Sequence, residues 1–360
     1  MDCKLVSKSW NKVISRQQFS QSHLNHCLNN RDSAGGKFTF LFVNNNPLPA
    51  YRQFHYLEVY DKTSSSEEQP FHRVTRMKLN PAPFKLYNFV GSCNGLVCLN
   101  GCYDNEGVNY EPVYICNPIT RECVLLPEFE RTDDHGVRLL TGFGYVSKTN
   151  EYKVVRMYKF LKEPNFVHAE IYTLGSGKGW RNSGKKFDKD LDLFVSICGV
   201  LVNELEWLCW QLKNGKVVAF LLSCEMIIEV PTSISTSWEY KLGVLGGSLS
   251  GTYYDRDSNT YDVLLLKKEK ENGPFRWTEE FSLSGTHAHE WLGLTCRRAL
   301  LCWSETKVLV QDLNSVYPKL LVDFKVKCIH QAIPHMNTLV SLKALGEENT
   351  NIMETADIPR

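Results

Sequence analysis

A repeat constrains this chain more than any other feature. Apolar, glycine-containing segments begin near Phe89, Thr141, Phe194, Tyr240 and Glu290, at spacings of 52, 53, 46 and 50 residues, and one more step back reaches Phe38. Short β-rich runs repeating at about 50 residues fit the blades of a β-propeller, each a four-stranded sheet that cannot bury both faces alone. Every unit has two halves. The first is a glycine-marked strand pair, at 91–99, 142–157, 199–210, 246–254 and 293–303. The second is an outer hairpin, at 113–127, 169–180 and 217–231. This division predicts a mainly β chain with six blades between about residues 38 and 327, and a strand at 333–342 placed to pair with the first blade and close the ring. A pair of stacked β-sandwiches, which also use short strands at regular spacing, is the alternative.

Turn chemistry separates the strands. Asn214-Gly215 and Asn272-Gly273 tolerate the positive φ of tight hairpins, and Asn117-Pro118, 147–150 and 255–260 read as further turns. Residues 2–24 differ: Val6, Trp10, Val13 and Ile14 fall three and four apart, on one face of a helix. Ser15 can cap a second helical turn carrying Phe19 and Leu24. A polar linker at 29–37 follows, and 346–360 is expected to be a disordered polar tail. The domain limits are thus 1–28, 38–342 and 343–360. With 41 Lys and Arg against 40 Asp and Glu, no basic run is available to hold a phosphate backbone, so nucleic acid is not an expected partner. The first residues lack the apolar core of a secretory signal, and no apolar run is long enough to span a bilayer, so a soluble intracellular protein is expected. Thirteen cysteines at irregular spacing read as small buried hydrophobes.

Several local patterns invite sharper readings. Gly175-Ser176-Gly177-Lys178-Gly179 suggests a phosphate-binding loop, but it lacks the earlier glycine, the Ser or Thr after the lysine and the following helix, which favours a hairpin turn. His287, His289 and Glu290 could approach one metal ion, yet nothing else completes a shell and a solvated loop is favoured. Cys93, Cys98 and Cys102 are not spaced as a structural zinc site. Trp207, Trp210, Trp238, Trp277, Trp291 and Trp303 could floor a recognition surface, but packing between blades is favoured, and Trp180 and Trp303 are expected in the core. No nucleophile elbow or metalloprotease helix is present, so neither an enzyme nor a cofactor is expected.

Residues 3–24, CKLVSKSWNKVISRQQFSQSHL, resemble the C-terminal half of a plant F-box, through Cys3, Val6, Ser7, Lys8, Trp10, Ile14, Ser15, Phe19, His23 and Leu24. The body resembles the F-box-associated domain, through 92–99 (SCNGLVCL), 116–127 (CNPITRECVLLP), 142–155 (GFGYVSKTNEYKVV) and 171–180 (IYTLGSGKGW). The resemblance implies a six-bladed kelch-like β-propeller preceded by a short helical F-box remnant. It also implies a substrate receptor for a Skp-cullin-F-box ubiquitin ligase, working in the cytoplasm or nucleus. In such a receptor Val6, Trp10, Ile14 and Phe19 would meet a Skp-type adaptor, and the propeller would present an unidentified target protein. The Leu-Pro segment and helix that open an F-box would fall before Met1, so the expectation is a truncated box that binds the adaptor weakly or not at all. The alternatives are a propeller interaction module without ligase coupling, and a pathogen-perception or self-incompatibility recognition protein.

Overall fold

Short strands, many buried along most of their length and joined by turns with positive φ at Asn94, Arg121, Asn150, Glu225 and Asn259, form nearly all of the regular structure among the described residues. The computed structural model describes residues 13, 16–29, 37–43, 54–60, 71–77, 84, 86–102, 112–128, 139–160, 162–163, 165–188, 198–212, 215–231, 240–255, 257–270, 273–284, 290–294, 299–313, 317–325, 329 and 331–353. Among the described residues one longer helix, α1 (Gln17–Asn29), precedes the strands.

In the first blade β1 (Lys37–Val43) pairs antiparallel with β2 (Phe54–Tyr60), and β2 with β3 (Phe71–Met77). The second blade is built from β4 (Leu86–Cys93), β5 (Leu96–Cys102), β6 (Val113–Cys116) and β7 (Glu122–Leu125). The third contains β8 (Leu140–Val146), β9 (Glu151–Tyr158), β10 (Phe166–Thr173) and β11 (Trp180–Asp188). The fourth is β12 (Val200–Val202), β13 (Trp207–Gln211), β14 (Val217–Leu221) and β15 (Met226–Val230). The fifth is β16 (Tyr240–Leu245), β17 (Ser248–Asp255), β18 (Thr260–Lys268) and β19 (Phe275–Ser284). The sixth is β20 (Glu290–Leu294), β21 (Ala299–Ser304), β22 (Lys307–Asp312) and β23 (Lys319–Asp323). The chain then returns, and β24 (Gln331–Pro334) pairs with β1 to give the first blade its fourth strand. The fold is the six-bladed β-propeller that the period predicts, and six separate sheets exclude the stacked sandwiches.

The C-terminal end departs from expectation. The closing strand covers 331–334 rather than 333–342: after His335 donates its N–H to Thr39 O at 3.0 Å, side chains of the second blade capture the chain and the ladder stops. Residues 346–353, expected to be part of a disordered tail, are folded. A helical turn, α2 (Leu342–Leu345), leads through Gly346 to β25 (Asn351–Ile352), which adds a fifth strand to the second blade against Cys123 and Glu122. Burial of Glu347 and Met353 explains how a polar sequence holds there. At the other end, α1 continues beyond the expected limit of residue 24 to Asn29, and the remaining N-terminal positions of the expected helix, apart from Val13 and Arg16, lie outside the described residues.

The described contacts divide the chain into two compact units. One contains α1, the first two blades, the turn at 172–180 and the chain from residue 325. Its core joins Leu41, Val43 and Phe54 of the first blade to Phe89, Val97 and Leu99 of the second, with Phe54 stacked on Phe89 at 6.2 Å. The other unit contains the rest of the third blade and the fourth to sixth, with apolar cores on both faces of the fifth. Tryptophans serve these cores. Trp210, Trp277 and Trp303 are buried, as packing between blades predicts, while Trp238 lies outside the described residues. Trp180 is half-buried and donates its indole N–H to Pro127 O at 2.8 Å; Trp277 does the same to Pro231 O at 2.8 Å. Each proline follows the outer hairpin of one blade and each tryptophan lies on the outer strand of the next. The repeat therefore carries a polar latch as well as an apolar period.

The third and fourth blades share a buried ionic contact. Lys153, 6% exposed, donates to Leu222 O at 3.1 Å and to Glu225 at 3.0 Å. Arg181 grips the same carboxylate with both guanidinium nitrogens. Burial alone would raise the Glu225 pKa, but the Arg181 and Lys153 hydrogen bonds outweigh it and hold the carboxyl below its ordinary value. Its contribution to stability is therefore complete above the ordinary carboxylate pKa and is lost as pH falls through the lowered value. Removing Glu225 leaves the buried Lys153 ammonium with the Leu222 carbonyl and the more distant Glu151 carboxylate at 3.7 Å, whereas Lys153→Met removes the charge itself. Glu225→Ala should cost about 3 kcal/mol in urea melts at pH 7, and Lys153→Met less than half of that.

Candidate functional site

The structure brings two of the family-like motifs, 92–99 and 116–127, to one extended segment, His335–Ser341, which leaves the first blade and crosses the turns of the second. Asn117, fully buried in the 116–127 motif, organises the β6–β7 turn and the segment together. Its side-chain oxygen accepts the N–H groups of Ile119 at 2.8 Å and Thr120 at 3.3 Å. Its side-chain nitrogen donates to Thr338 O at 3.2 Å and Val340 O at 2.7 Å. Two donors and two acceptors are thus all used, which fixes the orientation of the amide.

The β4–β5 turn grips the same segment. Asn94 and Gly95 both take positive φ, and a Cβ on Gly95 would lie 2.0 Å from Thr338 Oγ1. The glycine of the SCNG sequence lets the segment approach, and Thr338 Oγ1 donates to Asn94 O at 2.7 Å. Ser92 Oγ meets His335 Nδ1 at 2.8 Å, with Tyr56 edge-on to the imidazole at 6.1 Å. Burial pushes the His335 pKa down to about 4, against an opposing pull from Asn337.

The N-terminal helix rests on this strap. Ser20 Oγ donates to Leu339 O at 2.8 Å, and Leu24, one helical turn later, is 1% exposed. Phe19 lies on another face and is 38% exposed, as is Val13, in the turn before the helix, at 47%. Of the adaptor-facing residues read from sequence, Phe19 is therefore placed on an open helix face. Val6, Trp10 and Ile14 lie outside the described residues. The docking residues Ser20 and Leu24 were not distinguished by sequence, since a serine and a leucine four apart do not reveal which partner they face.

Past the strap the chain is clasped again. Ser341 Oγ caps α2 by accepting Ala344 N–H at 3.1 Å and donates to Glu122 at 2.9 Å. Glu347 accepts Gly175 N–H at 2.6 Å and Tyr172 O–H at 3.1 Å. The glycine-rich sequence at 175–179 is indeed a turn between β10 and β11, and its first glycine has a packing role. A Cβ on Gly175 would lie 1.7 Å from Leu345 O, so only glycine admits the C-terminal turn. Cys93 and Cys98 are buried and form no disulfide, while the side chain of Cys102 lies outside the described residues. Among the described residues no three His, Cys, Asp or Glu side chains converge as a metal site; His287 and His289 lie outside that set. No helix among them is long and apolar enough to cross a membrane.

The fold is thus a six-bladed propeller in which the 92–99 and 116–127 motifs hold a strap under a helix. The chain belongs to the F-box associated beta propeller domain family, whose model matches residues 37–293. It is similar to an F-box/kelch-repeat protein of Arabidopsis thaliana, 26% identical over 206 residues that cover 55% of this chain and 53% of the relative. An Arabidopsis F-box protein is 32% identical over 113 residues, 31% of this chain and 24% of that protein. The chain thus spans about half or less of the length of these relatives. Among solved structures it is similar to the SapL1 lectin in complex with alpha methyl fucoside, at 10% identity and a TM-score of 0.41, covering 80% of this chain and 96% of the lectin.

The strap makes stability depend on pH. The unfolded His335 takes up a proton near pH 6.5, whereas the folded one resists until about pH 4. Its contribution is complete above about pH 6.5 and is lost progressively as pH falls towards 4, to a limit of about 3 kcal/mol. Thermal melts from pH 7.5 to 4 should show His335→Gln flattening this branch relative to the unaltered protein.

Proposed function

We propose that this chain is a substrate receptor of a Skp-cullin-F-box ubiquitin ligase. In this reading the N-terminal segment, through Val6, Trp10, Ile14 and Phe19, meets a Skp-type adaptor, and the propeller holds a target protein in the cytoplasm or nucleus. The receptor breaks no bond itself: it raises the local concentration of target lysines near the ligase. The observation that carries the reading is the two-faced α1. Ser20 and Leu24 fix one side to the strap, leaving Phe19 open on another. A helix held in this way transmits the position of an adaptor to the propeller, because the strap is itself bonded to two turns of the second blade. Membership of the F-box associated family and similarity to F-box proteins support the same reading.

The test is a titration of the purified chain with a recombinant plant Skp-type adaptor. Weak but measurable binding is expected, with Phe19→Glu weakening it at least about tenfold further, as loss of one buried aromatic anchor implies, while the melting temperature is unchanged. A folded chain that ignores the adaptor would instead be a propeller interaction module without ligase coupling.

A further inference from the structure

The third blade contains a cavity of about 500 Å³, formed within one of the two compact units. The connection after β9 supplies Phe160, Lys162 and Glu163; β10 supplies His168; β11 supplies Lys185 and Lys186. Among these residues three ammonium groups face a single carboxylate, in a protein whose net charge is only +1. One wall is aromatic: Phe160 packs edge-on against His168 at 4.6 Å, and Tyr158 lies beside both. Lys185 is tethered, donating to Cys224 O at 2.9 Å and Glu225 O at 3.2 Å, so its charge is held in place without a counter-ion from either carbonyl.

Glu163 reveals what the cavity grips. Its two carboxylate oxygens are divided between His168 Nε2, at 2.9 Å, and Lys186 Nζ. The site already coordinates a carboxylate, supplied by its own rim. Both Glu163 and Lys186 remain substantially exposed, at 36% and 53% of their side-chain surface, so an incoming carboxylate can compete for the same partners.

We propose that this cavity binds an acidic segment of the target protein, with a Glu or Asp side chain of the target among Lys162, Lys185 and Lys186 and an adjacent apolar side chain against Phe160. The inference rests on the receptor reading and names the chemistry of the target. A protein segment fits better than nucleic acid, because a polyphosphate backbone needs a long basic track and this is one local cavity. Charge-assisted contacts at such a rim set specificity and salt dependence, while the aromatic wall supplies apolar contact. Glu163 then acts as an internal competitor that a true ligand must displace.

The experiment measures fluorescence anisotropy of labelled peptides with the full chain at low and high salt, using a Glu-and-Phe-containing peptide and its Lys-for-Glu counterpart. The acidic peptide should bind and the basic one should not. Lys162→Glu with Lys186→Glu should weaken binding about tenfold or more, and Glu163→Gln should strengthen it several-fold by releasing His168 and Lys186. That gain distinguishes a ligand site from a merely structural cluster, since loss of a structural ion pair would not improve binding. Equal binding of both peptides, or no gain with Glu163→Gln, overturns the inference. In parallel, proteins captured from plant extract by the unaltered chain and by the double lysine variant are compared. If both capture the same target, the receptor reading stands and the cavity inference fails; if neither captures any target, the receptor reading itself fails.

Discussion

The side-chain amide of Asn117 is the contact on which the N-terminal half of this architecture depends. It sits in a turn with no solvent exposure and uses both hydrogens and both lone pairs, two for its own turn and two for the strap. A buried amide so placed has no substitute: an apolar residue would leave two strap carbonyls and two turn N–H groups without partners, each costing about 1–3 kcal/mol. Thr338 and Gly95 make the complementary contact one turn away, and the requirement there is for space as much as bonding. The second blade therefore holds the strap through short polar turns rather than through a sheet ladder.

The strap turns local chemistry into architecture. It starts as the strand that completes the first blade, crosses the second, supports α1 through the Leu339 carbonyl, and ends in the clasp formed by Glu122 and Glu347. Residues hundreds of positions apart in the chain thus share one small region. Such a link fixes the helix relative to the second blade, where a free linker would let it wander. On the other unit, the Lys153–Glu225–Arg181 contact performs a comparable task between blades, at the cost of burying charge.

The blades were legible because their information is periodic. Spacings near 50 residues and turn pairs such as Asn214-Gly215 and Asn272-Gly273 repeat often enough for single irregularities not to matter. The strap was not legible as such. Thr338, Val340 and Leu342 alternate in burial as a strand would, so 333–342 reads as strand, although its carbonyls are taken by side chains from a distant turn. Asn117-Pro118 reads correctly as a turn, yet half of the asparagine's bonds are made to residues more than two hundred positions away, and no local pattern encodes them. The tail failed for a related reason. Glu347 and Asn351 are polar by composition, but Glu347 meets donors at Tyr172 and Gly175 and Asn351 a strand edge of the second blade, while Gly346 closes α2 on its own carbonyls. The turn at 175 was legible, but the packing role of its first glycine was not, because only the folded chain shows what approaches it.

Hydrogen exchange tests the coupling most directly. In the unaltered protein the amides of α1 and those of 335–353 should be protected together. Asn117→Ala should speed exchange in both segments by a similar factor while leaving the strands of the fourth to sixth blades unchanged. Exchange in α1 that stays slow while the strap becomes labile would show that the helix is held by something else, and would contradict the account.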